Sequence, residues 1–206
     1  MKDHSINIVI PMKGLSYSKQ RLQHVLTTSQ RETLSLTLFQ TTVRFFRDEY
    51  PEHNVLVVTE CSSIANLARK MAADILYIPN NKGLNTALQA ATRWSKKHNF
   101  IYQLIIPADI SKLDKTELDI VIKSGYQHSV TMVTAKDLGT NALMSSPPDA
   151  IPFKFGQQSS IHHAHQAHKS GLSLDIMTMK SLSQDIDNER DLLHWYEPLR
   201  GEFIYE

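Results

Sequence analysis

Asp109 follows the apolar run Tyr102–Ile106 by way of Pro107-Ala108, and Asp185-Ile186-Asp187 places two further acids two residues apart. In an extended segment residues i and i+2 share a face, so that pair can converge on one ligand. Carboxylates with few other ligands suit Mg²⁺, which keeps waters and binds phosphates alongside one or two acids. Each acid also has a plainer reading: Asp109 as a turn or helix cap, Asp185 and Asp187 as caps of a final helix. The complementary bases lie in the loop Pro11–Leu22, where Lys13, Lys19 and Arg21 alternate with Ser16, Tyr17 and Ser18. A polyphosphate needs point charges from lysine, a fork from arginine and backbone N–H groups in a turn. The loop is not a P-loop, because the spaced glycines and the Lys-Ser/Thr pair are missing. Its alternative is a solvated basic loop.

Two further segments have shaped backbone. In Pro79-Asn80-Asn81-Lys82-Gly83-Leu84-Asn85, Gly83 allows close approach, and Asn85 can cap a helix or hydrogen-bond a base edge. Gly139-Thr140-Asn141-Ala142-Leu143 leads into Pro147-Pro148-Asp149-Ala150-Ile151-Pro152-Phe153-Lys154-Phe155-Gly156. That composition is wrong for a buried helix and poor for a plain strand, since proline cannot donate to a ladder. It reads as a loop built around a ligand. His162, His163, His165 and His168 have helix-face spacing, but no carboxylate pattern supports zinc, so they read as a surface or pocket wall. Cys61, the lone cysteine, reads as a bystander that excludes an internal disulfide. No nucleophile elbow is present.

These groups need a frame. Ile6–Ile10, Asn54–Thr59, Asp74–Ile78, Tyr102–Ile106 and Val130–Thr134 are expected strands, and Leu174–Met179 a late one. Helices are expected over Thr28–Glu49 (with Ser29 capping ahead of Glu32), Ser62–Ala73, Asn85–His98, Lys115–Ser124, Ser159–Ser170 and Asn188–Tyr196. Alternation of this kind implies an α/β fold, a three-layer Rossmann-like arrangement with a mostly parallel central sheet. Ligands then sit at the carboxyl ends of the strands, where the loops 11–22, 79–85, 107–113 and 135–159 fall. The 206 residues are expected to form a single domain, 1–206, with an elaboration around 135–160. A net charge of +1 recruits neither nucleic acid nor membrane, and no apolar run approaches a membrane span. The polar start Met1–Ser5 and short Ile6–Ile10 run lack a signal-peptide core, so a cytoplasmic location is expected.

Taken in order, these pieces resemble one family. They are Pro11, Lys13, Lys19-Gln20-Arg21-Leu22, Gly83-Leu84-Asn85, Pro107-Ala108-Asp109, the run Gly139–Leu143, the run Pro147–Gly156 with Ser159, Gly171-Leu172, and Asp185-Ile186-Asp187. The chain resembles the guanylyltransferases that make the phosphodiester precursor of the deazaflavin coenzyme F-420, whose acceptors are 2-phospho-L-lactate, phosphoenolpyruvate or 3-phospho-D-glycerate. The resemblance implies a MobA-like nucleotidyltransferase fold that uses GTP and Mg²⁺. It implies Asp109, Asp185 and Asp187 as metal ligands, and Thr140, Gly156, Ser159 and His163 at the phosphorylated acid. It implies Lys13, Lys19 and Arg21 at the triphosphate, with Lys13, Gly83 and Asn85 binding the nucleotide. It also implies that a labile product is handed to the next enzyme of the pathway. The helix Thr28–Glu49 could spare a face for a homodimer. Departures from the family pattern at Leu138, Ile110 and Ile161 flank the acceptor segment and leave the acid open among the three.

The reaction so implied joins the acceptor's phosphate oxygen to the α-phosphorus of GTP and expels pyrophosphate. An anionic nucleophile needs no strong general base, so positioning and charge neutralisation carry the step. The alternatives are a molybdenum-cofactor or sugar-phosphate nucleotidyltransferase of the same fold, and a non-catalytic nucleotide-binding protein.

Overall fold

The computed structural model describes residues 5–202, and the side chains of these except Tyr17 and 196–202; the polar start at 1–4 lies outside the described residues. Strands β1 (Ile6–Met12), β2 (Asn54–Thr59), β3 (Asp74–Tyr77), β4 (Tyr102–Ile105), β5 (Val130–Thr134), β6 (Thr140–Ser145) and β7 (Leu174–Met177) form one sheet. Their order is β3-β2-β1-β4-β6-β5-β7. All pairings are parallel except those of β6, which runs against both β4 and β5.

Helices α1 (Thr28–Glu49), α2 (Ser62–Lys70) and α4 (Lys115–Gly125) cover one face, while α3 (Leu84–Lys97) and α5 (Ser159–Lys169) cover the other; α6 (Glu189–Glu202) follows. The alternation of β1 explains the layering: Ile6, Ile8, Ile10 and Met12 pack with Phe39, Val43 and Phe46 of α1, whereas Val9 packs with Leu88 and Ala91 of α3. Phe39 and Phe46 are wholly buried, and truncating either to alanine would cost about 3–5 kcal/mol. Apolar burial on both faces is what the near-continuous hydrophobic strands require.

Three expectations are corrected. The segment after Gly139 was expected as loop, yet Thr140–Ser145 is a fully buried strand inside the sheet. Its prolines all lie beyond Ser145, so none interrupts the ladder. The capping box of α1 is Thr27 with Gln30, not Ser29 with Glu32: the Gln30 N–H donates to Thr27 Oγ1 and the Thr27 N–H to Gln30 Oε1. Two overlapping Ser/Thr-x-x-Glu/Gln spacings exist here, and the earlier one starts the helix. Asn85 does not cap α3, because the helix begins a residue earlier with Gly83 at its N-cap.

Candidate active site

The antiparallel sense of β6 decides where its first residues lie. Ile105 near the end of β4 pairs with Leu143, so Thr140 and Asn141 fall at the edge where the parallel strands present their carboxyl ends. Loops from β1, β3 and β4 arrive at the same edge. The stretch after β7 joins them, since Asp185 bridges Ile110 and the Ile186 N–H donates to the Asp109 carbonyl. Residues far apart in sequence thereby surround two cavities, of about 520 Å³ and 460 Å³. Asp109 and Asp187 line both, and Asp185 lines the smaller.

The junction is electrostatically dense. Lys19, at a left-handed φ of 50°, turns its side chain inward, so that Nζ lies 2.6 Å from Asp109 Oδ2 and 3.4 Å from Asp187 Oδ1. Burial alone would lower its pKa, but Asp109, and then Asp187 and Asp185, raise it. Arg21, largely exposed, reaches Asp187 Oδ2 at 2.9 Å. Asp185 is pushed up to about 6, first by desolvation and then by the charges of Asp109 and Asp187. Among the described residues no three His, Cys, Asp or Glu side chains form a ready-made metal-holding group. The three acids nevertheless fit a hard divalent cation. They offer oxygen donors at one junction, a cationic Nζ already sits between two of them, and phosphate oxygens of a substrate can complete a shell that one or two acids begin.

The smaller cavity is lined by Thr140, Asn141, Gly156 and Ser159. Gly156 has φ +133°, a backbone region that side-chain-bearing residues avoid, and it turns the chain into α5. Ser159 Oγ donates to Thr140 Oγ1 at 2.9 Å. Behind them, wholly buried, His163 has Nδ1 3.1 Å from Thr140 Oγ1 and Nε2 3.1 Å from the Lys154 backbone N. Burial, with a small contribution from His162, lowers its pKa to about 4. The expectation that His163 itself contacts the acid is corrected: it is not on the cavity wall, and both ring nitrogens are engaged within the protein.

Lys13 and Gly83 line the larger cavity, as the loop reading anticipated. Asn85 does not: its Nδ2 donates to the Phe155 carbonyl at 3.2 Å, and its Oδ1 accepts the Phe155 N–H at 2.8 Å. It fastens the 150s loop to α3. Three polar groups escaped the sequence reading. Asn81 Oδ1 and Ser35 Oγ in the larger cavity, and Asn141 Nδ2 in the smaller, are buried without a hydrogen-bond partner. Asn141 reaches the cavity because β6 bulges. Val133 pairs with Ala142 and Thr134 with Thr140, leaving Asn141 over as the extra residue. A bulge re-aims side chains that a regular strand would send to opposite faces. The Thr-Asn pair was the available signal, but nothing local announces a bulge.

Residues 6–199 match the family described as "Guanylyl transferase CofC like". The chain belongs to this family. The CofC-like chain is 42% identical over 188 residues to a 3-phospho-D-glycerate guanylyltransferase of Colwellia psychrerythraea, covering 90% of this chain and 89% of that protein. It is 30% identical to a phosphoenolpyruvate guanylyltransferase of a Roseiflexus species, covering 91% and 83%. A solved nucleotidyl transferase from Methanothermobacter superposes with a TM-score of 0.69 at 14% identity, covering 96% of this chain and 99% of the other. That likeness extends to the fold, and the family makes the CofC-like protein a nucleotidyltransferase of the guanylyltransferase kind.

Proposed function

We propose that the CofC-like protein transfers GMP from GTP to 3-phospho-D-glycerate and releases pyrophosphate, as a step toward coenzyme F-420. The observation that carries this reading is the meeting of two cavities at Asp109 and Asp187. A nucleotidyl transfer needs such a junction, because the acceptor oxygen must reach the α-phosphorus in line with the departing pyrophosphate. The larger cavity takes GTP. There the lone acceptor Asn81 Oδ1 suits the N–H donors of guanine, and Lys13 and Lys19 face the phosphates. The smaller cavity takes the acid. Ser159 spends its proton on Thr140, so its oxygen is left as an acceptor. That suits the 2-hydroxyl of phosphoglycerate, a donor that phosphoenolpyruvate lacks, and the Colwellia relative carries the matching name.

The acceptor's phosphate oxygen forms a bond to the α-phosphorus as the α–β bridging bond breaks, and the electron pair leaves with pyrophosphate. Lys13 and Lys19, on the larger cavity, offset the charge building there, while Arg21, Thr140 and the backbone at Gly156, on the smaller one, hold the acid in register. Asp109, Asp185 and Asp187 would hold Mg²⁺, which would supply charge neutralisation for the two anionic substrates. The cytoplasm suits a chain with the single free thiol Cys61. The product is a disubstituted diphosphate, joined through a phosphoanhydride, which would be handed to the next enzyme.

The test is an acceptor panel: GTP with 3-phosphoglycerate, phosphoenolpyruvate or phospholactate, with Mg²⁺ or with EDTA, read by product mass and pyrophosphate release. Preference for 3-phosphoglycerate, lost with EDTA, is the expected result. Equal turnover of phosphoenolpyruvate removes the hydroxyl argument, and no product with any acid removes the whole reading.

A further inference from the structure

We infer that His163 is a positioning residue for the acceptor cavity, one that fixes the direction of the Thr140 hydroxyl proton and makes Thr140 a dedicated donor to an anionic oxygen. The inference rests on the reading of that cavity as the acceptor half.

The argument starts from a group that has no choice. A backbone N–H only donates, and that of Lys154 lies 3.1 Å from His163 Nε2. Nε2 therefore presents its lone pair, and the proton of the neutral ring sits on Nδ1. Nδ1 is 3.1 Å from Thr140 Oγ1, so it donates to that oxygen. Ser159 Oγ donates to the same oxygen at 2.9 Å. A hydroxyl has two acceptor lone pairs and one proton. Both lone pairs of Thr140 are taken, and neither neighbour is free to accept its proton. What remains is the cavity, whose wall Thr140 forms.

A free threonine hydroxyl rotates to give or to receive. Here it is held as a giver, which favours a phosphoryl or carboxylate oxygen and disfavours a ligand amide or ammonium at the same place. The ring is wholly buried, packs edge-on against Phe155 with centroids 4.9 Å apart, and is kept neutral by that burial. The donor is therefore set across the neutral pH range. The arrangement also explains a histidine on the buried face of α5: its two nitrogens tie the 150s loop to the start of β6 through one rigid ring. His163 touches no reacting atom and acts through Thr140.

The first test needs no mutation. The ¹⁵N shifts of the His163 ring should report the Nδ1–H tautomer at neutral pH; the Nε2–H tautomer or an imidazolium overturns the inference. The second is kinetic, with GTP and 3-phosphoglycerate. His163→Phe keeps a ring and removes both nitrogens, and should raise the acceptor KM about tenfold while the GTP KM stays within about twofold. His163→Asn, which restores an N–H near the place of Nδ1, should recover most of the loss. Thr140→Val should match His163→Phe, and the double variant should be no worse than Thr140→Val alone, because the two act in series. Losses that multiply, equal shifts in both KM values, or an unchanged acceptor KM in His163→Phe overturn the inference while the guanylyltransferase reading stands. A wild-type protein that makes no guanylylated product overturns both.

Discussion

Two polar regions are buried in the same sheet, one toward each end of the strands, and they differ in completeness. At the amino end, Asn54 Nδ2 donates to Asn7 Oδ1, Asn7 Nδ2 to Ser95 Oγ, Ser95 Oγ to Gln103 Oε1, and Gln103 Nε2 to Thr92 Oγ1, all within 2.7–3.0 Å. This network ties α3 to β1 and β4 and leaves none of its own members unpartnered, although His53 Nδ1 beside Asn54 is buried without a partner. At the carboxyl end, Asn81 Oδ1, Ser35 Oγ and Asn141 Nδ2 lack partners, and three acids crowd around one lysine. Buried polar groups are normally satisfied. A region where several are not, next to cavities, is one whose partners arrive with a ligand. The comparison separates polar residues kept for structure from those kept for chemistry, which residue type alone does not do.

The largest expected effect lies at the incomplete end. Asp109→Asn should lower kcat on the order of 10²-fold or more, with a thermal midpoint close to wild type; activity near wild type at saturating acceptor would remove Asp109 from the chemistry. The opposite profile is expected at the complete end. Gln103→Ala takes one partner from Ser95 and one from Thr92, whose hydroxyls keep the Ala91 and Leu88 carbonyls, and it opens a cavity, so it should cost about 2–4 kcal/mol of stability by urea unfolding. Its KM values for GTP and acceptor should be unchanged. A KM shift there would mean that the network is coupled to the site and that the division drawn above is too sharp.

The sequence exposed the site unevenly, and the reasons are physical. Lys13, Lys19, Gly83 and Asp109 could be placed at one edge because loops after buried strands collect there in a parallel sheet, a rule that needs no contact information; Asp185 and Asp187 were singled out by their i, i+2 spacing instead. Helix α1 was bounded to the residue because its apolar period is local, although its cap is Thr27 and not Ser29. Strand β6 was missed because proline-rich neighbours mask a six-residue strand whose partners lie about 40 and 10 residues upstream. Asn85 was misread for the same kind of reason. Its partner Phe155 is 70 residues away, and an asparagine before a helix looks like a cap whatever it binds. His163 was found as a member of a histidine cluster, but its burial and its two partners are tertiary facts.

A smaller effect tests the buried ring. His163 has a folded pKa near 4 against an ordinary 6.5. Below pH 6.5 the unfolded chain takes a proton that the folded protein refuses, so stability should fall as pH drops from 6.5 toward 4. The loss by pH 5 is about 2 kcal/mol, and His163→Asn should remove this part of the pH dependence. Unfolding curves at pH 7 and pH 5 for both proteins check it; an identical slope in the variant would mean that another group titrates.

The smallest stability change is the most diagnostic. Asn141 is 5% exposed, stands as the extra residue of the β6 bulge, and carries an unpartnered Nδ2 on the smaller cavity. An unsatisfied buried donor costs free energy in the empty protein, and exchanging it for an apolar group of like shape is nearly neutral or stabilising. Asn141→Leu should therefore leave stability within about 1 kcal/mol of wild type, or raise it, while the acceptor KM rises several-fold and the GTP KM does not. Thermal melts and the two KM values decide the matter together. If Asn141→Leu loses as much stability as Gln103→Ala, its amide belongs with the structural network, and the unpartnered groups at the carboxyl end cannot be read as a ligand's partners in waiting. If it loses acceptor affinity alone, the stability of the empty site has been given up for recognition, as an active site is expected to do.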